Sequence, residues 1–299
     1  MFKPVPGARP EVACEIRPEG VTAARSGKKP GEMVAAFAPL PEGAVAAGLK
    51  VPNLTDARAV RTAVESALES LGVRGQEITL VVPDAAARVL LLDFDALPSK
   101  RQEALPVVRF RLRKMVPFDV ETAAVSYQVM AQKDEQISVL VTVMPRDVLE
   151  EYESVVREAG YEPGAVLPST VAAAGAVPDD SATLMVNLSG ASVTTAVTQG
   201  SEMLLHRSMD LPLEARAREE ELAQAVITAL AWYEDTLSRL PSTMFYSGPG
   251  GASVASQSRW ASLVEPAPKL VDLTPAEAPS AMTSVPAGAM AGVTGALAK

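Results

Sequence analysis

The sequence predicts an α/β protein in which buried sheets are covered by helices, and three observations support this. Hydrophobic residues make up 48% of the 299 residues and aromatics only 4%, so the interior must be assembled largely from Ala, Val and Leu. Such small and branched side chains suit layers of sheet and helix. Segments with strand-like patterning alternate with segments spaced for helices. A unit that opens with a hairpin and continues into a helix and a short apolar strand occurs near the N-terminus and again after Pro168.

Val12–Ile16 and Val21–Arg25 pair as a predicted hairpin turned by Pro18-Glu19-Gly20. Residues 26–52, rich in Pro, Gly and Ala, read as a loop. Thr55 and Asp56 start a helix whose buried face is Val60, Val64, Leu68 and Leu71, and Gly72 stops it. Ile78–Val82 and Val89–Phe94 are continuous apolar runs of buried-strand length. Ser99 opens a second helix, which Pro106 is expected to kink or divide. It carries the one dense basic cluster, Arg109-Phe110-Arg111-Leu112-Arg113-Lys114. Two strands follow, Ala123–Met130 and Ile137–Met144, then a helix marked by Val148, Leu149, Tyr152, Val155 and Val156 and closed by Gly160.

Beyond Pro168, Leu184–Leu188, Ser192–Thr198 and Met203–Ser208 predict three antiparallel strands. A long helix over about 213–240 should bury Leu222, Ile227, Leu230 and Leu237. Met244–Ser247 is a short strand running into Gly248-Pro249-Gly250-Gly251. Residues 266–286 read as loop and 287–297 as a last helix, weakened by Gly288, Gly292 and Gly295.

Composition excludes several functions. A net charge of −9 repels a phosphate backbone or an anionic lipid surface, so no nucleic acid and no direct membrane contact are expected. One cysteine, Cys14, rules out a disulfide framework and reads as a small buried hydrophobe. No apolar run reaches 18 residues and the N-terminus has no apolar signal core, so a cytosolic chain is expected. The single histidine, His206, lies inside a predicted strand, where a structural role outweighs a catalytic one. The acidic pairs, such as Asp179-Asp180, fit turns or helix starts.

Two turns have the chemistry to receive phosphate. Ser189-Gly190-Ala191-Ser192 presents backbone N–H groups at a strand-to-strand turn, and Ser247 to Gly251 does so where a strand meets a helix. No Walker motif is present. The basic cluster is either a solvated face or a receiver for an acidic partner segment.

The stretch from Leu97-Pro98-Ser99-Lys100 through Arg109–Lys114 to Val116-Pro117-Phe118-Asp119, then Val125-Ser126-Tyr127-Gln128-Val129, resembles the PilM family of actin-like type IV pilus assembly proteins. The resemblance continues through Val139–Met144 and Glu151–Tyr161, and Leu184–Ser208 is similar to the second hairpin of the actin-like core. It implies a two-lobed actin-like fold (ribonuclease H-like, Hsp70-type) with a small αββα inserted subdomain. The implied boundaries are 1–92 for the first lobe, completed by a C-terminal helix at 287–299, 93–165 for the insertion and 166–286 for the second lobe. The cytoplasmic domain of GspL is a related architecture.

The same resemblance places possible nucleotide contacts at Asn187, Ser189, Gly190, Ser192, Gly248, Gly250 and Gly251. Its first phosphate loop departs from the family's Asp-Ile-Gly pattern, reading Glu15-Ile16-Arg17-Pro18-Glu19-Gly20, and Asn187 stands in place of an Asp. These changes imply weakened ATP and Mg²⁺ binding and a degenerate ATPase with no catalytic residue of its own. The implied function is a cytoplasmic scaffold at the inner membrane that binds the tail of a PilN-like protein, and through it a PilO-like protein and the motor ATPases. Arg109, Arg113, Phe118 and Tyr127 are the expected tail-binding positions. The alternatives are an active ATPase or sugar kinase of the same superfamily, or a filament-forming relative.

Overall fold

The computed structural model describes residues 10–27, 32–133, 136–177, 182–258, 260–261, 268–273 and 285–298. Strands β1 (Val12–Arg17), β2 (Gly20–Ser26) and β3 (Met33–Pro39) form an antiparallel meander. Helix α1 (Ala57–Ser70) follows, its start capped by the Asp56 side chain accepting from the Ala59 N–H at 2.9 Å. Strand β4 (Glu77–Val82) lies parallel to β1. The chain then leaves this sheet through β5 (Arg88–Phe94), α2 (Arg101–Leu112), β6 (Ala124–Lys133), β7 (Gln136–Met144) and α3 (Arg146–Glu158). It returns as β8 (Glu162–Pro168), parallel to β4, and turns into α4 (Ser169–Ala174).

The second half repeats the plan with β9 (Thr183–Ser189), β10 (Ser192–Gln199), β11 (Glu202–Asp210), α5 (Ala215–Leu237), β12 (Thr243–Ser247), α6 (Gly251–Ala255), β13 (Lys269–Asp272) and α7 (Ala291–Leu297). The two five-stranded sheets run β3-β2-β1-β4-β8 and β11-β10-β9-β12-β13, the same order in each half. In both, an antiparallel meander precedes two parallel strands. The doubled hairpin-led unit is thus a property of the fold.

Strand alternation divides each sheet's two faces. On one face of the first sheet, Cys14, Ile16, Ile78 and Leu80 pack under Val60, Val64 and Leu68 of α1 and Val148, Tyr152 and Val155 of α3. On the other, Ala13, Ala24 and Val81 meet Ala172 of α4 and Val293 and Ala296 of α7. The second sheet buries Leu184, Val186, Val193 and Val197 under Leu222, Val226, Leu230 and Tyr233 of α5. Its opposite face sets Met185 and Ala196 against Ala173 and Ala291. The short pair α4 and α7 is therefore wedged between the sheets, each helix facing both.

Several expectations are corrected. The supposed loop at 26–52 contains β3, whose Ala-rich sequence hides a half-buried edge strand. The segment after it is held by Glu151, whose carboxylate accepts the N–H groups of Asn53 and Leu54 at 2.8 and 2.9 Å. The stretch 266–286 contains β13, while residues 274–284 of it, like Asp179 and Asp180, lie outside the described residues. β8 and α4 carry no clear pattern in the sequence, because Pro163, Gly164 and Pro168 break up a strand that pairs only on one side. Ile227 is 37% exposed; the buried stripe runs Leu222, Val226, Ala229, Leu230, Tyr233, and a residue five past Leu222 falls off it. Pro106 does not divide α2, which runs unbroken from Arg101 to Leu112. β5 pairs with β7 in a three-stranded sheet β5-β7-β6, so the inserted sheet begins at Arg88, before the expected boundary after residue 92. At its other end, α3 packs on the first sheet and β8 belongs to it.

Candidate functional site

In sheets with parallel strands, ligands gather beyond the carboxyl ends of the strands. Here that region is the cleft between the two sheets. From the first lobe come Glu15 and Arg17 at the end of β1, Asp84 in a helical turn after β4, and Ser169 and Thr170 at the start of α4. From the second come Asn187 at the end of β9, the turn at Gly190, and Ser247 at the end of β12. Nearly all of these side chains are buried.

Two linked networks fill the cleft. Asp84 accepts the Thr170 N–H at 2.9 Å and the Thr170 hydroxyl, and accepts from Asn187 Nδ2 at 3.0 Å. Asn187 Nδ2 also lies 3.0 Å from Ser169 Oγ, whose hydroxyl donates to Glu15 Oε1 at 2.6 Å. Glu15 is fully enclosed, and burial pushes its carboxyl above the usual range, opposed by the Arg17 charge and the Ser169 hydroxyl. In the second network, the Arg17 guanidinium donates to Ser247 Oγ at 2.9 Å and to the Leu188 carbonyl at 2.7 Å. It lies 3.5 Å from Glu15 and 3.6 Å from Glu19. Glu19 in turn accepts the Gly190 N–H at 3.2 Å.

The expected nucleotide positions are brought near one another, with several of their donors already engaged. Gly190 takes φ +52°, its N–H faces Glu19, its carbonyl accepts from Arg218, and a Cβ there would lie 2.6 Å from the Pro18 ring. Ser192 Oγ donates to the Ser189 carbonyl at 3.0 Å, while Ser189 Oγ is buried without a partner. Gly248 N–H donates to the Gly288 carbonyl at 3.1 Å. Gly250 and Gly251 take φ +76° and +66°, and a Cβ on Gly251 would lie 2.8 Å from Asp272 Oδ1.

These residues do not fit the phosphates of ATP: a carboxylate faces the Gly190 amide that would receive one, and Pro18 covers the same glycine. They do not fit Mg²⁺ either, since Glu15 is paired with Arg17 and the oxygens of Asp84 are occupied by Thr170 and Asn187. No group of three His, Cys, Asp or Glu among the described residues is arranged to hold a metal.

Asp84, Ser169 and Thr170 escaped the sequence reading. Their signal was position: Asp84 follows Pro83 at the end of β4, and Ser169 and Thr170 follow Pro168 at the end of β8. His206 is a strand residue on β11 whose Nε2 is enclosed without a partner; burial lowers its basicity, with the Asp84 charge opposing. Cys14 is buried in the core, and burial, reinforced by Glu15, pushes its thiol up to about 12.

The other expected site lies on the inserted subdomain, where the four positions do different work. Arg109 donates to the carbonyls of Val120 and, at 3.0 Å, Ala123, so it ties the segment entering β6 to α2. Arg113 is exposed and pairs with Glu121 at 2.7 Å. Phe118 and Tyr127 are half-buried against the subdomain core, and the Arg101 guanidinium sits 5.7 Å from the Tyr127 ring centroid.

The outward aromatic is Phe110, 71% exposed, with Val107 beside it one turn earlier. Ala104, Val108 and Leu112 form the buried stripe of α2, which leaves Val107, Phe110, Arg111 and Lys114 on the open side. Arg109→Ala should cost about 1–3 kcal/mol, as for a hydrogen bond to a charged group, and open the 113–123 segment to proteolysis. Arg113→Ala should stay within about 0.5 kcal/mol when both variants are compared by urea titration.

The two like-ordered sheets and the cleft between them make the two-lobed actin-like fold, here with a small α/β insertion in the first lobe. Among solved structures, the chain is similar to a PilM–PilN type IV pilus biogenesis complex, with a TM-score of 0.69 and 17% identity over 97% of this chain and 98% of that one. It is also similar to the cytoplasmic domain of EpsL, an inner-membrane component of the Vibrio cholerae type II secretion system, at 0.51 and 12% over 95% and 92%. The ethanolamine utilization protein EutJ from Carboxydothermus hydrogenoformans matches at 0.52 and 13% over 99% and 92%. No protein-family model matches the sequence, and no curated protein does. The chain thus has the actin-like fold of PilM, with its inserted subdomain inside the matched span.

Proposed function

We propose that this protein is a cytoplasmic scaffold of type IV pilus assembly that binds the N-terminal cytoplasmic tail of a PilN-like inner-membrane protein. The observation that carries the reading is the end-to-end likeness to the PilM–PilN complex. Among the described residues no helix is long and apolar enough to cross a membrane. The scaffold is therefore held at the inner membrane through its partner, which links it in turn to a PilO-like protein and the pilus motor ATPases. A degenerate ATPase accords with this role, because the cleft groups that would receive nucleotide bond to each other instead.

The tail binds at the inserted subdomain and its junction with the first lobe, with Arg113, Phe118 and Tyr127 as contacts and Arg109 shaping the surface. Isothermal titration of the full chain with a peptide of the PilN-like tail should give micromolar affinity. Arg113→Glu should weaken it by about tenfold, the scale of one charge-assisted contact. An absence of binding by the folded chain would overturn the assignment, while an unchanged affinity in Arg113→Glu would move the site elsewhere.

A further inference from the structure

We infer that the β1–β2 turn is a built-in ligand of the second lobe, holding the two lobes closed without nucleotide. The turn Arg17-Pro18-Glu19 projects from the first sheet, yet the hydrogen bonds of its Arg17 and Glu19 side chains lie across the cleft. Glu19 brings a carboxylate to the Gly190 N–H, an anion where the β9–β10 turn offers a backbone donor. Pro18 packs on the same glycine, which has no Cβ to hold it off.

Arg17 completes the attachment from β1. It reaches the Leu188 carbonyl just before that turn and the Ser247 hydroxyl at the end of β12. The Ser247 hydroxyl in turn donates a hydrogen bond to the Gly288 carbonyl at 3.1 Å, on the segment that leads into α7. Since α7 packs back on the first sheet, the ring closes: first lobe, second lobe, and the crossing that returns to the first. Arg17 is only 4% exposed and is flanked by Glu15 and Glu19, so its charge is matched inside the cleft. A turn with both an anion and a cation of its own thus occupies the Gly190 N–H, the Leu188 carbonyl and the Ser247 hydroxyl. The inference rests on these contacts and is independent of the pilus reading.

Hydrogen exchange read by mass spectrometry on the full chain, with and without millimolar MgATP as the probe, tests it. Peptides containing Gly190 should be protected in the unaltered protein and unchanged by MgATP. Glu19→Ala should speed exchange there by about tenfold or more, while the β10–β11 turn at Gly200 keeps its rate. Glu19→Gln, which keeps an oxygen acceptor, should restore most of the protection. Arg17→Met should extend the faster exchange to peptides spanning Ser247 and Gly288. Glu19 is part-exposed at the turn, so Glu19→Ala supplies a folded variant should Arg17→Met fail to fold. Gly190 exchange that ignores Glu19→Ala, or MgATP binding that alters Gly190 exchange in the unaltered protein, would overturn the inference.

Discussion

Gly295→Ala should be among the most damaging single-methyl changes in this protein. A Cβ at that position would sit 1.9 Å from the Ala172 carbonyl oxygen and 2.7 Å from its carbon. Both are backbone atoms of α4, so no rotamer change relieves the clash. From the other side, a Cβ on Gly175 would lie 2.6 Å from the Gly295 carbonyl, so glycines at both contacts let α4 and α7 approach. Relief requires the helices to separate, and each carries residues packed on both sheets. Overpacking a core typically costs about 1–3 kcal/mol, and a fixed backbone neighbour places this case at or above the top of that range. The urea midpoint should fall accordingly. Gly48→Ala is the control, because a Cβ there meets nothing within 4 Å.

Asp84→Ala should cost a similar amount, roughly 3 kcal/mol, for an electrostatic reason. The carboxylate is 3% exposed and accepts from the Thr170 amide, the Thr170 hydroxyl and Asn187. Removing it strands the Thr170 amide and hydroxyl, while Asn187 Nδ2 keeps Ser169 Oγ and Thr170 Oγ1 at 3.0 Å, and each stranded donor carries a desolvation penalty of about 1–3 kcal/mol. Asp84→Asn should cost less, since its amide oxygen still accepts one bond. The single histidine supplies an independent readout by NMR. Asp84 supports the charged form of His206 against the burial that lowers its pKa, so loss of the carboxylate should shift that pKa further down. A histidine titration unmoved by Asp84→Ala, in a protein that still folds, would contradict this account of the cleft.

How much was legible in the sequence can be argued from these residues. The faces of α1 and α3 were readable because Val60, Val64 and Leu68, and Val148, Tyr152 and Val156, repeat at helical spacing. β3 and β13 were not, because an edge strand needs few large side chains and lies among Ala and Pro. Gly292 and Gly295 argued against a last helix by propensity, yet they are what the helix requires. A Cβ on Gly292 would lie 2.4 Å from Glu15 Oε2, a contact between residues that local spacing does not relate. The basic cluster was visible as a cluster, but that Arg109 turns inward and Phe110 outward depends on which side of α2 the insertion buries.

The sequence by itself therefore determined the α/β class and the doubled hairpin-led plan. Those are carried by periodicity and by residue identities at short range. Only the tertiary structure decided what the turn at Arg17-Pro18-Glu19 meets. Glu19 meets Gly190 across 171 positions of chain and Arg17 meets Ser247 across 230. Hydrogen bonds and ion pairs act over a few ångströms of space regardless of chain distance, so these partners can be assigned only once the two sheets are brought together.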